Sequence, residues 1–271
     1  MLGNNGPGWL FCPADRPERF GKAAGAADVV ILDLEDGVAA KDREAARAAL
    51  VDTPLDPART VVRVNPATTP DHALDLEALA RTDYTTVMLA KTENADQVSA
   101  LAPLKVVVLV ETPLGALNVV ESTRADNAFA VMWGAEDLFA VTGGTANRWP
   151  DGSYRDVAVH VRSQTLLAAK AYGRLALDSV YLDIKDLDGL RAEVDDAVAV
   201  GFDAKVAIHP TQVAVIRDGY RPTDEQADWA RRVLDTARDQ RGVFQFEGIM
   251  VDAPVLRRAE RIVALAPHPG S

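Results

Sequence analysis

Eight short apolar runs, rich in β-branched residues and fairly evenly spaced, constrain this chain more than any other feature. They span residues 9–12, 29–32, 60–64, 85–89, 105–110, 128–133, 179–182 and 205–208. Runs that are apolar throughout, instead of alternating with polar residues, suit strands buried on both faces, as in a parallel sheet. Alanine-rich stretches with helical spacing lie between them, at 17–26, 41–50, 71–81, 95–101, 154–172 and 187–200. Strand followed by helix, repeated eight times, predicts an α/β fold of the (β/α)8 TIM-barrel type. A doubly wound open sheet is the alternative, weakened because no glycine fingerprint follows the first strand.

The barrel pattern is spent after His209-Pro210. Beyond it, 223–241 reads as a long helix with Pro222 ahead of it and Asp224 and Glu225 in its first turn. A short aromatic stretch (242–250) and a last helix (254–265) follow. The expected organisation is a catalytic barrel over 1–220 and a C-terminal helical extension over 221–271. Residues 143–152 (GGTANRWPDG) have the composition of a long loop, plausible as a mobile lid.

Charge excludes some partners. Twenty-nine basic residues against 40 acidic ones give a net charge of −11, which disfavours nucleic acid or an anionic membrane as the main partner. No apolar run approaches the roughly 20 residues needed to cross a bilayer. The first residues, MLGNNGPGW, show no signal-peptide pattern. The single cysteine, Cys12, permits no internal disulfide and reads as a small buried hydrophobe. The cytoplasm is the expected compartment.

In a barrel the chemistry lies at the carboxyl ends of the strands. The polar residues closing the runs are Asp15 and Arg16, then Asp33, Glu35 and Asp36, then Arg63 and Asn65. Lys91, Glu111 with Thr112, Glu136 with Asp137, Asp183 and His209 complete the set. Several carboxylates at one mouth repel one another unless a cation is present. Oxygen ligands without paired cysteines point to a hard cation such as Mg²⁺, and Glu111 and Asp137 are the best pair. The competing reading is that these acids cap the helices that follow.

Arg63 lies inside an apolar strand, where a guanidinium needs an anionic partner. It would clamp a substrate carboxylate, stabilise enolate charge, or pair internally with Glu35 or Asp36. Lys91 could form a Schiff base, although nothing in the sequence indicates a lowered pKa. Arg16, Arg19 and Lys22 near the first strand, with Lys41, Arg43 and Arg47 near the second, make either a basic rim for phosphates or a solvated helix face.

Six segments then appear in order: VVILDLEDGV (29–38), VVRVN (61–65), LVET (109–112), WGAEDL (133–138), YLDIKDLDGL (181–190) and AIHPTQ (207–212). Together they resemble the citrate lyase beta-subunit-like family of the HpcH/HpaI aldolase superfamily, which includes malyl-CoA and citramalyl-CoA lyases. The likeness runs from about residue 8 to 254. It implies a TIM barrel, Mg²⁺, a coenzyme A thioester substrate and a homo-oligomer, a trimer or hexamer. By position, Glu111 and Asp137 would hold the metal. Arg63 would bind substrate, and Glu35 and Asp36 would support the metal waters and Arg63. Asp252, in MVDAP (250–254), would be a general acid/base supplied to a neighbouring subunit. Arg16, Lys22 and Lys41 would meet the coenzyme A phosphates, and His209 at the eighth strand end is the further cofactor-binding candidate. Ala90 before Lys91 and Pro113-Leu114 after Thr112 depart from the family pattern and border the acyl pocket.

The reaction so implied is cleavage, or the reverse condensation, of a 3-hydroxyacyl-CoA (malyl, citramalyl, citryl or 3-hydroxy-3-methylglutaryl) to acetyl-CoA and a keto acid. A CoA-independent pyruvate aldolase, a malyl-CoA-type thioesterase and a non-catalytic CoA-binding subunit remain as alternatives.

Overall fold

A computed structural model describes residues 5–240 and 242–266. Eight parallel strands close a barrel in sequence order: β1 (Gly8–Pro13), β2 (Val29–Asp33), β3 (Thr60–Val64), β4 (Thr86–Leu89), β5 (Lys105–Val110), β6 (Ala128–Trp133), β7 (Leu175–Asp178) and β8 (Ala204–Ala207). The ring shuts where Trp9 of β1 lies against Val206 of β8. The helices between strands are α1 (Phe20–Ala26), α2 (Arg43–Asp52), α3 (Pro70–Leu79), α4 (Ala95–Ser99), α5 (Pro113–Leu117), α6 (Val119–Arg124), α7 (Ala135–Thr142), α8 (Asp156–Ala171) and α9 (Leu187–Val200). The TIM barrel expected from the eight runs is the fold observed.

The barrel centre is filled by the inward side chains of every second strand position. Trp9, Ile31, Val61, Met88, Val107, Leu109, Met132, Leu177 and Val206 form one buried cluster. Completely apolar strands follow from this, because the outward positions are covered by helices and are equally dry.

One strand differs from its expected place. Residues 179–182 were expected to be the seventh strand, but β7 is Leu175–Asp178. Leu177 enters the interior cluster, whereas Leu182 is 54% exposed. Asp183, assigned to that strand end, therefore lies in an exposed loop. The buried acid closing β7 is Asp178.

The described residues from Arg217 onward form a second compact unit, the division falling within α10 (Pro210–Tyr220). This unit holds α11 (Asp224–Ala237), a hairpin of β9 (Phe244–Phe246) and β10 (Ile249–Val251), and α12 (Ala253–Leu265). Thr223 and Gln226 form a reciprocal capping box that starts α11. Ala230, Val233, Val251 and Ala259 make its small core. Arg241, the expected end of the first of these helices, is outside the described residues. Among those described, no helix is long and apolar enough to cross a membrane.

Candidate active site

The segment after β2 is shaped by one carboxylate. Asp33 accepts the backbone N–H groups of Glu35 (3.0 Å) and Gly37 (2.9 Å). Gly37 is needed there because a Cβ would sit 2.3 Å from Asp33 Oδ2. The tight turn leaves Asp33 facing its register partner on β3, Arg63. Arg63 grips it through Nε and Nη2, both at 2.6 Å, and reaches Glu35 through Nη1 at 3.2 Å. The guanidinium also lies over the Phe11 ring, 4.6 Å from its centroid. The internal partner of Arg63 is thus Asp33 together with Glu35, and not Asp36 as the sequence allowed. Burial opposes the charge on Arg63, but Asp33, Glu35 and Glu111 outweigh it and raise its pKa.

Lys91, just past β4, is the second cation. Its ammonium contacts Glu35, Asp36 (2.9 Å) and Asp137 (3.3 Å). Its backbone N–H donates to Glu111 Oε1 at 2.8 Å. The backbone there is left-handed, with φ of 48°, which aims N–H and side chain at different carboxylates. Although burial opposes the charge on Lys91, the hydrogen bond to Glu35 and the charge of Glu111 drive its pKa upward. A Schiff-base lysine needs the opposite shift, so the aldolase-type role considered for Lys91 has no support here.

Glu111 closes β5 and is 2% exposed. Burial, reinforced by Asp137, pushes its pKa up to about 8 against the pull of Arg63 and Lys91. Gly134 gives it room, since a Cβ there would come within 2.9 Å of Glu111. Asp137 sits in the first turn of α7. Burial likewise raises Glu35, while Lys91 overcomes burial at Asp36 and lowers it.

The fit to a hard cation can be judged from this set. Five acidic groups (Asp33, Glu35, Asp36, Glu111, Asp137) meet two fixed cations, Arg63 and Lys91, so acids outnumber the cations by three. Every donor is oxygen. Among the described residues no three His, Cys, Asp or Glu converge as a ready-made ligand set. Two carboxylates with water and substrate completing the shell is the arrangement Mg²⁺ takes, so the residues present fit that ion.

Beside this cluster, between the ends of β1 and β8 and the start of α1, lies a cavity of about 340 Å³. Its walls are largely apolar, Phe11 among them, with Arg19, Lys22 and His209 as polar members. Phe11 therefore belongs both to the cavity and to the surroundings of Arg63. The His209 ring is oriented by Thr211 Oγ1 at 2.8 Å from Nδ1. Gln212 locks the preceding turn by accepting from the Ile208 N–H at 2.9 Å. Cys12 lines the same cavity, its thiol pushed up to about 11 chiefly by burial.

The other basic residues separate. Arg16 is exposed and pairs with Asp15 at 3.4 Å, and Lys41 is exposed on a short 3-10 turn; neither lines the cavity. Arg43 and Arg47 are committed to Asp71 and to the buried Asp75, so they are scaffold and not a phosphate rim. Asp252 caps α12 in the second unit, accepting from the Val255 N–H at 3.4 Å.

The loop at 143–152, expected from its composition to be a mobile lid, makes side-chain contacts through Asn147 and Arg148. Arg148 binds Glu193 at 2.5 Å and packs over the Tyr154 ring at 3.8 Å. Asn147 reaches back to Glu136, next to Asp137, at 2.6 Å. Lys205, wholly buried, ties Glu193 to Asp178. Neither Asp33 as the anchor of Arg63 nor this second network was picked out from sequence. A lysine in the apolar strand Ala204–Ala207 was the available signal for the latter.

Comparison with known proteins places these features. The family model described as HpcH/HpaI aldolase/citrate lyase matches residues 8–210. A citrate lyase subunit beta-like protein from Mycobacterium tuberculosis is 63% identical, with 96% of each chain covered. The mitochondrial citramalyl-CoA lyase of Mus musculus is 31% identical over 95% of this chain and 85% of its own. Among solved structures, M. tuberculosis CitE in complex with magnesium, acetoacetate and coenzyme A has a TM-score of 0.94. That protein is 62% identical, with 97% of this chain and 98% of that one covered.

Proposed function

Because the chain belongs to the HpcH/HpaI aldolase/citrate lyase family, we propose that it is a Mg²⁺-dependent lyase that splits a 3-hydroxyacyl-CoA into acetyl-CoA and a keto acid. The observation that carries this reading is the pairing of an over-acidic cage with a buried arginine, joined through Phe11 to a cavity bearing Arg19 and Lys22. The M. tuberculosis relative bound to magnesium, acetoacetate and coenzyme A supports magnesium and a coenzyme A thioester as what such a site takes.

Glu111 and Asp137 are the metal ligands in this reading, and the ion supplies Lewis-acid polarisation of the substrate's oxygens. Arg63 is fixed by two hydrogen bonds to Asp33 and an ion pair to Glu35. In this reading its charge stabilises the thioester enolate as the carbon–carbon bond breaks. Its rigid anchorage means little reorganisation at that moment. Glu35 and Asp36 hold the cage and its water. The hydroxyl proton leaves to a base, the bond's electron pair passes to the enolate, and an acid returns a proton to the α-carbon. Asp252, contributed by a second copy of the chain, fills that acid role; Oδ1 is used in capping α12.

Lys22, with Arg19 and His209 around the cavity, would receive the coenzyme A moiety. Arg16 and Lys41, outside the lining, would contact its outer phosphates. A homotrimer is the assembly this reading favours. Leu114 and Leu117 on α5 and Val120 on α6 are exposed apolar residues and offer a surface for it. Asp137→Ala should lose Mg²⁺ binding by calorimetry; retained affinity would show that the metal is held elsewhere.

A further inference from the structure

We propose that the Lys91 ammonium is a tethered counter-cation that competes with the divalent ion for Asp137 and so sets the affinity of the cage for metal. The proposal rests on the metal reading above and adds to it a residue that works against binding.

Four carboxylates are touched by this one residue. The N–H holds Glu111 and the ammonium holds Glu35, Asp36 and Asp137. A left-handed backbone at a residue other than glycine is uncommon and persists where the surroundings fix it. Here it allows N–H and Nζ to serve opposite sides of the cage. The three ammonium contacts are graded. Glu35 is closest, Asp36 lies at 2.9 Å and Asp137 at 3.3 Å. The most distant contact is therefore the one made to a residue placed as a metal ligand.

A divalent ion on Glu111 and Asp137 meets a fixed positive charge already resting on Asp137. Two cations sharing one carboxylate repel, and the lysine has a retreat, since Glu35 and Asp36 keep it. Glu35 and Glu111 do not depend on the ammonium alone for their position. Glu35 is also held by Arg63 at 3.2 Å and by the Asp36 N–H at 2.9 Å. Glu111 is held by the Lys91 backbone, which survives any substitution of the side chain. Deleting the charge thus leaves Glu111 and Glu35 held and frees Asp137 of its competitor. In the metal-free protein the same ammonium offsets part of the surplus negative charge, so its loss should cost stability until Mg²⁺ replaces it.

The test is titration of the full chain with MgCl₂ by calorimetry, alongside thermal melts in EDTA and in saturating Mg²⁺. Lys91→Gln should bind Mg²⁺ about tenfold more tightly, a change of about 1.4 kcal/mol. Its Mg²⁺-induced rise in Tm should exceed that of the unsubstituted chain. Lys91→Arg, which keeps the charge, should stay within about twofold of the unsubstituted affinity. Should Lys91→Gln fold poorly, Lys91→Asn serves instead, because asparagine tolerates the left-handed backbone. Affinity unchanged or weakened on loss of the charge, in a variant with native circular dichroism, would overturn the proposal. An unsubstituted chain that binds no Mg²⁺ at millimolar concentration would overturn the metal site itself, and the proposal with it.

Discussion

Arg63 is the residue on which structure and chemistry most depend together. Lysine in its place keeps a positive charge but cannot hold both oxygens of Asp33 while reaching Glu35. Arg63→Lys should therefore lower kcat about 10²-fold in steady-state assays, the scale of losing one oriented donor at a developing oxyanion. Arg63→Met should cost stability as well, about 3 kcal/mol in denaturant titrations, by leaving Asp33 and Glu35 buried without their partner. The need for an anion beside Arg63 was legible from the sequence, since a charge inside Val61–Val64 cannot stand alone. Which anion was not legible. Asp33 ends β2 and itself closes the turn that holds Glu35, so both can meet a cation that Asp36 does not reach. Only the register, with Asp33 opposite Arg63, decides it. Lys91 shows the same limit: its place at a strand end could be read, but not the left-handed turn that sends it into the cage.

At the level of elements, the strands were readable wherever a run ended in a clear turn signal. The seventh was not, because 175–182 carries two short apolar stretches around Asp178 and Ser179. The choice is made by charge. Asp178 is fixed by the Lys205 ammonium at 3.0 Å, by Arg162 at 2.9 Å and by the Trp133 indole at 2.8 Å, which pins the strand end there. Although burial opposes ionisation, Lys205 and Arg162 lower the Asp178 pKa to about 2. A carboxylate depressed in the folded state stabilises fully above its unfolded pKa and loses that contribution as pH falls through its folded value. The contribution, about 2 kcal/mol, should thus vanish from about pH 4 to about pH 2. Thermal melts across that window should show a shallower pH slope for Asp178→Asn than for the unsubstituted chain. The α12 cap permits a second separation. Asp252→Asn keeps an N-cap and should leave stability nearly unchanged, whereas Asp252→Ala should cost about 1 kcal/mol. Both should lose turnover if the carboxylate is the proton donor, which parallel melts and rate assays will decide.

Across the whole molecule, the acidic balance has a local meaning. The net charge of −11 includes a surplus gathered at the carboxyl ends of β2, β5 and β6, where a cation has work to do. In the proposed reading an anionic substrate is admitted beside it, because Arg19 and Lys22 stand at a largely apolar cavity. The barrel could be read from periodicity alone. The function of the residues beyond Arg217 could not, since a helix pair with a hairpin and a small core serves many ends. If Asp252 works in a neighbour's site, light scattering should give a mass of three chains of 29.1 kDa, and dilution to monomer should abolish activity. The most direct measurement is the rate of acetyl-CoA release from malyl-, citramalyl-, citryl- and 3-hydroxy-3-methylglutaryl-CoA, with Mg²⁺ and with EDTA. Release of acetyl-CoA and the matching keto acid from at least one of them, only with Mg²⁺, is the predicted result. No turnover of any member, or free coenzyme A released with the carbon–carbon bond intact, would contradict the lyase assignment.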